Sequence, residues 1–168
     1  MRIAVTGTPG VGKTTVARRL ADERGVSYVD ITRRVREGAS KGYDEERQAP
    51  VADVDALRDD LPEDAVFDGH LSHRLEPGFT VVLRCEPDVL RSRLEERGWG
   101  DEKIDENAEA EALDVTTAEA LDTEAPVFEF DTTEPTVEET VERVARAVEE
   151  RDERTGVVDW SAYVEGRV

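Results

Sequence analysis

The chain passes from a short β-branched run, RIAVT (residues 2–6), straight into GTPGVGKTT (residues 7–15). No other feature limits the possible folds so strongly. A strand ending in a glycine-rich turn that opens a helix is the strand–loop–helix unit of a parallel sheet. Gly7, Gly10 and Gly12 let the backbone curl so that its N–H groups point into one cavity. The helix starting near Lys13 adds its positive dipole end. Gly7, Gly12, Lys13 and Thr14 satisfy G-x-x-x-x-G-K-[ST], a loop built to hold phosphate. The backbone of Gly10, Val11 and Gly12 would cradle the phosphates and Lys13 would reach the β and γ positions. The Thr14 hydroxyl would ligate Mg²⁺, and Thr15 would donate toward the α-phosphate. A nucleoside triphosphate is the implied ligand.

Periodicity along the rest of the chain alternates between strand and helix. Thr14 to Arg24 carries Val16, Ala17, Leu20 and Ala21 at helical spacing, and Gly25 ends it. Val26–Ile31 reads as a second strand. Residues 32–50 are polar and too long for an ordinary connection, so they form a functional excursion or a flap. VADVDALRDDL (51–61) reads as a helix, AVFDG (65–69) as a third strand and TVVLRC (80–85) as a fourth. Pro87 opens a helix that runs to Gly98, with Arg93 and Arg97 spaced i,i+4. Residues 101–121 form a charged helical stretch whose apolar side is Ala110, Leu113, Ala118 and Leu121. Val127–Asp131 is a fifth strand, and an amphipathic helix capped by Thr136 follows. The expected class is α/β, a three-layer P-loop fold on a sheet of about five parallel strands with right-handed crossovers. Its ligand crevice should lie at the carboxyl ends of the strands.

At 168 residues the chain is one domain's worth. It carries 41 acidic against 22 basic residues, a net charge of -19, and only three lysines. Such a surface repels nucleic acid and attracts basic partners. Equally, an Asp/Glu-rich, lysine-poor surface suits a salt-rich cytoplasm, as in a halophilic archaeon, and the even spread of charge favours that explanation. The lone Cys85 rules out an internal disulfide framework. No leader is visible before the first strand and no apolar run is long enough to span a bilayer, so the expectation is a cytoplasmic protein away from membranes.

A magnesium partner should come from a carboxylate at the end of a neighbouring strand, and AVFDGH places Asp68 there. The alternative is an ordinary turn aspartate before Gly69. His70 and His73 are the only histidines; spaced i,i+3 without a third ligand, they make a poor zinc site. His70 either points at the γ-phosphate or is a structural, hydrogen-bonded histidine. A guanine-reading Asn-Lys-x-Asp element is absent, since Asn107 is the single asparagine.

Four blocks in order carry a closer resemblance: GTPGVGKTT, KGYDEE (41–46), DGHLSH (68–73) and ERGWGDEKIDENAEAEALDV (96–115). The chain resembles the archaeal and eukaryotic adenylate kinases linked to small-subunit ribosome maturation, a branch of the nucleoside monophosphate kinases. The likeness runs from Met1 to about Arg151, the P-loop kinase domain, and leaves a tail over 152–168 without a role. It implies an AMP-binding excursion near 30–53, a short lid near 97–107 holding Trp99, ATP and Mg²⁺ as ligands, and a monomer. Arg97 would meet the ATP phosphates, with Arg93 one turn before it. Arg36 is the candidate for the AMP phosphate, with Arg33 and Arg34 as rivals. Glu134 lies in the loop where such kinases contact adenine through the backbone.

Two activities follow from the resemblance. One is phosphoryl transfer, ATP + AMP giving two ADP, with Lys13, Arg97 and Asp68 catalytic. The other is ATP hydrolysis that remodels a basic small-subunit ribosomal protein, with His70 orienting water. A scaffold that merely stores a nucleotide sits badly with the set Lys13, Thr14, Asp68 and Arg97. Other small-molecule kinases, shikimate kinase among them, share the loop and sheet, but no acceptor signature of theirs is visible.

Overall fold

The computed structural model describes residues 1–45 and 49–165. Its main sheet joins β1 (Arg2–Thr6), β2 (Ser27–Asp30), β5 (Ala65–Asp68), β6 (Phe79–Arg84) and β7 (Val127–Asp131) in the order β2-β5-β1-β6-β7. All neighbouring pairs are parallel. The five strands are those read from the sequence. They are near-continuous β-branched runs because helices cover both faces. β1 and β5 lie side by side with Val5 opposite Asp68. Their carboxyl ends, and the turns that leave them, therefore open into one crevice.

Helix α1 (Lys13–Arg24) buries Val16, Ala17, Leu20 and Ala21 against the sheet. It stops at Gly25, whose left-handed φ of 63° allows its N–H to reach back to the last turn. The largest cluster unites α1 with Ile3, Val5, Val81, Leu83, Leu90 and Leu94, and with Val141, Val144 and Val148 of α7 (Val137–Glu150). Each of these fully buried side chains contributes about 1.5–3 kcal/mol over exposure. Thr136 caps α7 in a reciprocal capping box with Glu139. On the other face, Phe67, Ile31, Leu57, Leu61 and Leu75 form a second cluster.

Residues after β2 leave the sheet as expected. They form α2 (Ile31–Glu37), then an antiparallel pair, β3 (Ser40–Asp44) and β4 (Ala49–Ala52). The helix expected over 51–61 is shorter, α3 (Val54–Asp59). Asp53 accepts from the Ala56 N–H at 3.1 Å and sets its start, so residues 51 and 52 are free to pair in β4. Residues 46–48, including the last position of KGYDEE, lie outside the described residues.

Helix α4 (Pro87–Glu96) starts at Pro87 behind a Glu86 cap. The charged stretch that follows is two helices, α5 (Asp101–Ala112) and α6 (Val115–Leu121), broken where Asp114 takes φ 55°. Their buried face also differs from the expected one. Ile104, Ala108, Glu111, Ala112, Thr117 and Ala120 turn inward, while Leu113 and Leu121 are 54 % and 53 % exposed. The break rotates α6 relative to α5, and a face read as one helix across the break comes out wrong.

The tail returns to the body. Arg154 exchanges backbone hydrogen bonds with the edge strand, its N–H donating to Val127 and its carbonyl accepting from Glu129. This covers an edge that would otherwise offer unpaired backbone groups. The tail ends in α8 (Ser161–Glu165). Among the described residues no helix is long and apolar enough to cross a membrane.

Candidate active site

The loop between β1 and α1 winds under steric necessity. Gly7 takes φ 136°, and a Cβ there would sit 2.4 Å from the Leu83 carbonyl oxygen. Gly10, at φ 101°, would meet Leu90 Cδ1 at 2.6 Å. Only glycine satisfies both demands. The loop thus rests directly on β6 and α4.

Lys13 reaches back over the loop and donates to the Thr8 carbonyl at 3.0 Å. Desolvation lowers its pKa to about 8. Asp68 and Glu111 pull it back up, and Arg97 adds to the lowering. Thr14 donates its hydroxyl to Asp68 Oδ2 at 2.7 Å, so the end of β5 and the start of α1 meet at one pair of hard oxygen donors. The other Asp68 oxygen accepts from the Tyr28 hydroxyl at 2.6 Å. Burial and the Asp68 carboxylate push the Tyr28 phenol's pKa up, which keeps it a donor. Asp68 itself is buried. One hydroxyl plus one carboxylate is the donor set that suits Mg²⁺, which keeps most of its shell for water and phosphate oxygens. Among the described residues no cluster of three His, Cys, Asp or Glu forms a protein-only cage for a metal.

Two openings flank this cradle. The larger, of about 590 Å³, is lined by Ile31, Val35 and Arg36 of α2, by Lys41 and Pro50 of the hairpin, and by His70 and Arg74. The smaller, of about 210 Å³, lies between Gly10, Gly12, Thr15, Arg93, Arg97 and Pro135. Arg36 lines the larger cavity. Its rivals line a different recess, with Arg33 paired to Glu37 at 2.7 Å and Arg34 paired to Asp60. Arg97 is exposed at the smaller opening. Arg93 instead donates to the carbonyls of Thr132 and Thr133, at 2.9 and 3.3 Å, and so fixes the loop after β7. Glu134 lies further along that loop, beside Arg143 and Trp160.

The two histidines divide. His70 is solvent-exposed at the rim of the larger cavity, and desolvation followed by the Lys13 charge lowers its pKa. His73 is fully buried, with Nδ1 3.3 Å from the Thr6 hydroxyl and Nε2 3.4 Å from a Glu119 oxygen. Burial lowers its pKa as well. His73 is therefore a packed, structural histidine beneath the site.

Sequence reasoning missed a buried ionic network beside the loop. Arg84, at the end of β6, donates to Glu111 Oε1 at 2.6 Å, to Thr117 Oγ1 at 3.1 Å and to Asp114 at 2.5 Å, and also pairs with Glu129. Glu111 in turn accepts from the Thr8 hydroxyl at 2.5 Å. The signal was available: an arginine and a glutamate, Arg84 and Glu129, interrupt the otherwise apolar runs TVVLRC and VFEFD. Charges there need partners. Tyr28 left no comparable signal.

Comparison with known proteins agrees with this architecture. A model of the AAA domain family matches residues 3–114. The Acinetobacter baumannii shikimate kinase in complex with shikimate superposes with a TM-score of 0.65 at 15% identity, over 91% of this chain and 95% of that one. This likeness concerns the fold alone. A Methanocaldococcus jannaschii protein named "Putative adenylate kinase" is 42% identical over 96% of this chain and 93% of its own length. An Archaeoglobus fulgidus protein of the same name is 43% identical, over 100% of this chain and 96% of its own. That alignment spans the whole chain, the segment after Arg151 included. With the phosphate loop, the parallel sheet and near-complete alignments in agreement, the chain belongs to the archaeal family that carries this adenylate kinase name.

Proposed function

We propose that the protein is an adenylate kinase that moves the γ-phosphoryl of ATP to AMP, forming two ADP. The observation that carries this reading is one phosphate cradle flanked by two openings, one lined by Arg36 and Arg74 and the other by Arg93 and Arg97. Hydrolysis needs one nucleotide site, whereas transfer between nucleotides needs two that meet at the moving phosphoryl. ATP would occupy the Gly10–Thr15 loop and the smaller opening, with Arg97 on its phosphates. AMP would occupy the larger cavity, with Arg36 on its phosphate. Residues 30–53 then act as the AMP-binding segment and residues 97–107 as the lid.

The chemistry asked of these residues is positioning and charge neutralisation. An AMP phosphate is already ionised, so the acceptor needs no general base. Charge spreads over the equatorial oxygens of the moving phosphoryl, where Lys13 and Arg97 are placed to offset it. Thr14 and Asp68 would hold Mg²⁺, which would supply positive charge against the phosphate oxygens. Tyr28 fixes the Asp68 carboxylate from behind. Closing the hairpin side and the lid over both nucleotides would exclude water.

A second reading is ATP hydrolysis that drives a partner, such as a small-subunit ribosomal protein. It is favoured by one observation: His70 lines the acceptor cavity two residues beyond Asp68 and is open to solvent. In that reading His70 orients a water where AMP would otherwise lie. Product analysis with ATP alone, with AMP and with other nucleoside monophosphates, in molar KCl and Mg²⁺, separates the two. Two ADP per AMP consumed, with little free phosphate, supports transfer. Phosphate released from ATP and unaffected by AMP overturns it. Substituting His70→Ala should lower any hydrolysis more than transfer.

A further inference from the structure

The phosphate loop contains a second hydroxyl that its motif does not require. Thr8 occupies a position the pattern leaves free, yet it is 5 % exposed and its hydroxyl points away from the cradle to Glu111 Oε2 at 2.5 Å. Glu111 is itself 2 % exposed. Its other oxygen accepts from Arg84 at 2.6 Å and from the Cys85 N–H at 3.1 Å, and its carbonyl accepts from Arg84 at 2.9 Å. The carboxylate therefore has no freedom left. It sits in the last turn of α5, the helix whose first half lies in the segment read above as the lid. The Thr8 carbonyl, on the same residue, is where the Lys13 ammonium rests.

We propose that Glu111 is a positioning residue: clamped by Arg84, it fixes Thr8 and so holds the phosphate loop in its nucleotide-ready curl, tying that loop to the base of the lid helix. The inference rests on the reading of this loop as the ATP site. A buried ion pair is a weak source of net stability, but it specifies geometry, because any other arrangement leaves a charge unpaired in the interior. The polarity of the contacts supports this assignment. Every group facing Glu111 is a donor, namely the Thr8 hydroxyl, the Arg84 guanidinium and the Cys85 amide. A carboxylate accepts from all of them, whereas a carboxamide could keep the Arg84 and Cys85 donors only by turning its N–H₂ on the Thr8 hydroxyl, which would then have to accept instead of donate. Arg84 also joins Glu129, whose second oxygen accepts from the Val157 N–H at 3.1 Å, so the docked tail belongs to the same frame.

The test compares the wild-type chain with Thr8→Val, Thr8→Ser and Glu111→Gln. Calorimetric titration gives the dissociation constants for Mg·ATP and for AMP, and thermal melting checks the fold. Thr8→Val keeps the shape and removes one charge-assisted hydrogen bond, so it should weaken ATP about tenfold and leave AMP unchanged. Thr8→Ser should restore ATP binding to near the wild-type value. The Thr8→Val/Glu111→Gln double variant should bind ATP no worse than Glu111→Gln alone, since both act through one contact. A purely structural role would instead lower the melting temperature and the competent fraction while leaving both affinities in place. ATP affinity within about twofold of wild type in a folded Thr8→Val protein overturns the inference and leaves the ATP-site reading standing. Absence of ATP binding in the wild-type chain overturns both.

Discussion

On one side of the crevice the chain is held by the main sheet; on the other it is held by two short strands and a helix of seven residues. The loop side has Gly7 pressed on β6, Thr14 bonded to Asp68, Thr8 bonded to Glu111 and Lys13 bonded back to the loop. Its neighbours are among the most buried residues of the molecule. The α2–hairpin side presents Arg36, Lys41 and Tyr43 to solvent, and among the described residues β3 and β4 pair only with each other. Such a difference suits a site in which one substrate meets a preformed cradle while the other is enclosed by a part that moves. Regions with few buried contacts and exposed backbone pairing open at low free-energy cost.

The largest effect should come from the preformed side. Replacing Lys13→Ala removes the ammonium that, in the proposed reading, would join loop to phosphate, and should lower kcat by about 100- to 1000-fold for transfer and hydrolysis alike. Coupled assays of ADP and of free phosphate would read both. Retention of either activity would mean that the loop is not the shared phosphate site.

Next in size is the α2–hairpin side. Arg36→Ala should raise KM for AMP by about 10- to 100-fold, the loss of a charge-assisted phosphate contact, while ATP affinity stays near its starting value. Equal damage to both nucleotides would break the division of the crevice into two sides. It would also return Arg36 to the rank of an exposed helix arginine.

How much of this was legible beforehand follows the same division. The loop, its following helix and Asp68 were readable because local patterns dictate them: glycines at fixed spacing, a lysine, a β-branched run ending in Asp-Gly. The five strands were readable for the same reason. The excursion after β2 was visible only as a segment too long for a turn. Its hairpin was not, because KGYDEE and the residues around Pro50 lack the alternation that marks a half-buried strand. The break at Asp114 was hidden too. Leucines at 113 and 121 suggested a buried face, but a single left-handed residue turned that face toward water. The Thr8–Glu111 contact spans 103 residues, and the Tyr28–Asp68 contact spans 40. Contacts between side chains that far apart are set by topology and leave no local trace, apart from the charges stranded in β6 and β7.

The smallest effect sharpens the comparison at its seam. Tyr28 belongs to β2, the strand that leads into the α2–hairpin segment, yet its hydroxyl donates to Asp68 on the loop side. The ring is also held from outside by the Arg18 guanidinium, 5.1 Å from its centroid, so its position does not depend on the hydroxyl. Tyr28→Phe should therefore leave the fold intact and free one Asp68 oxygen to turn. The Mg²⁺ concentration giving half-maximal activity should then rise by about three- to tenfold, with KM for AMP unchanged. Titrating activity against Mg²⁺ at saturating ATP and AMP reads this directly. A shift in KM for AMP instead would show that β2 communicates with the α2–hairpin side, and that the two sides meet at Tyr28 through its hydroxyl rather than merely side by side.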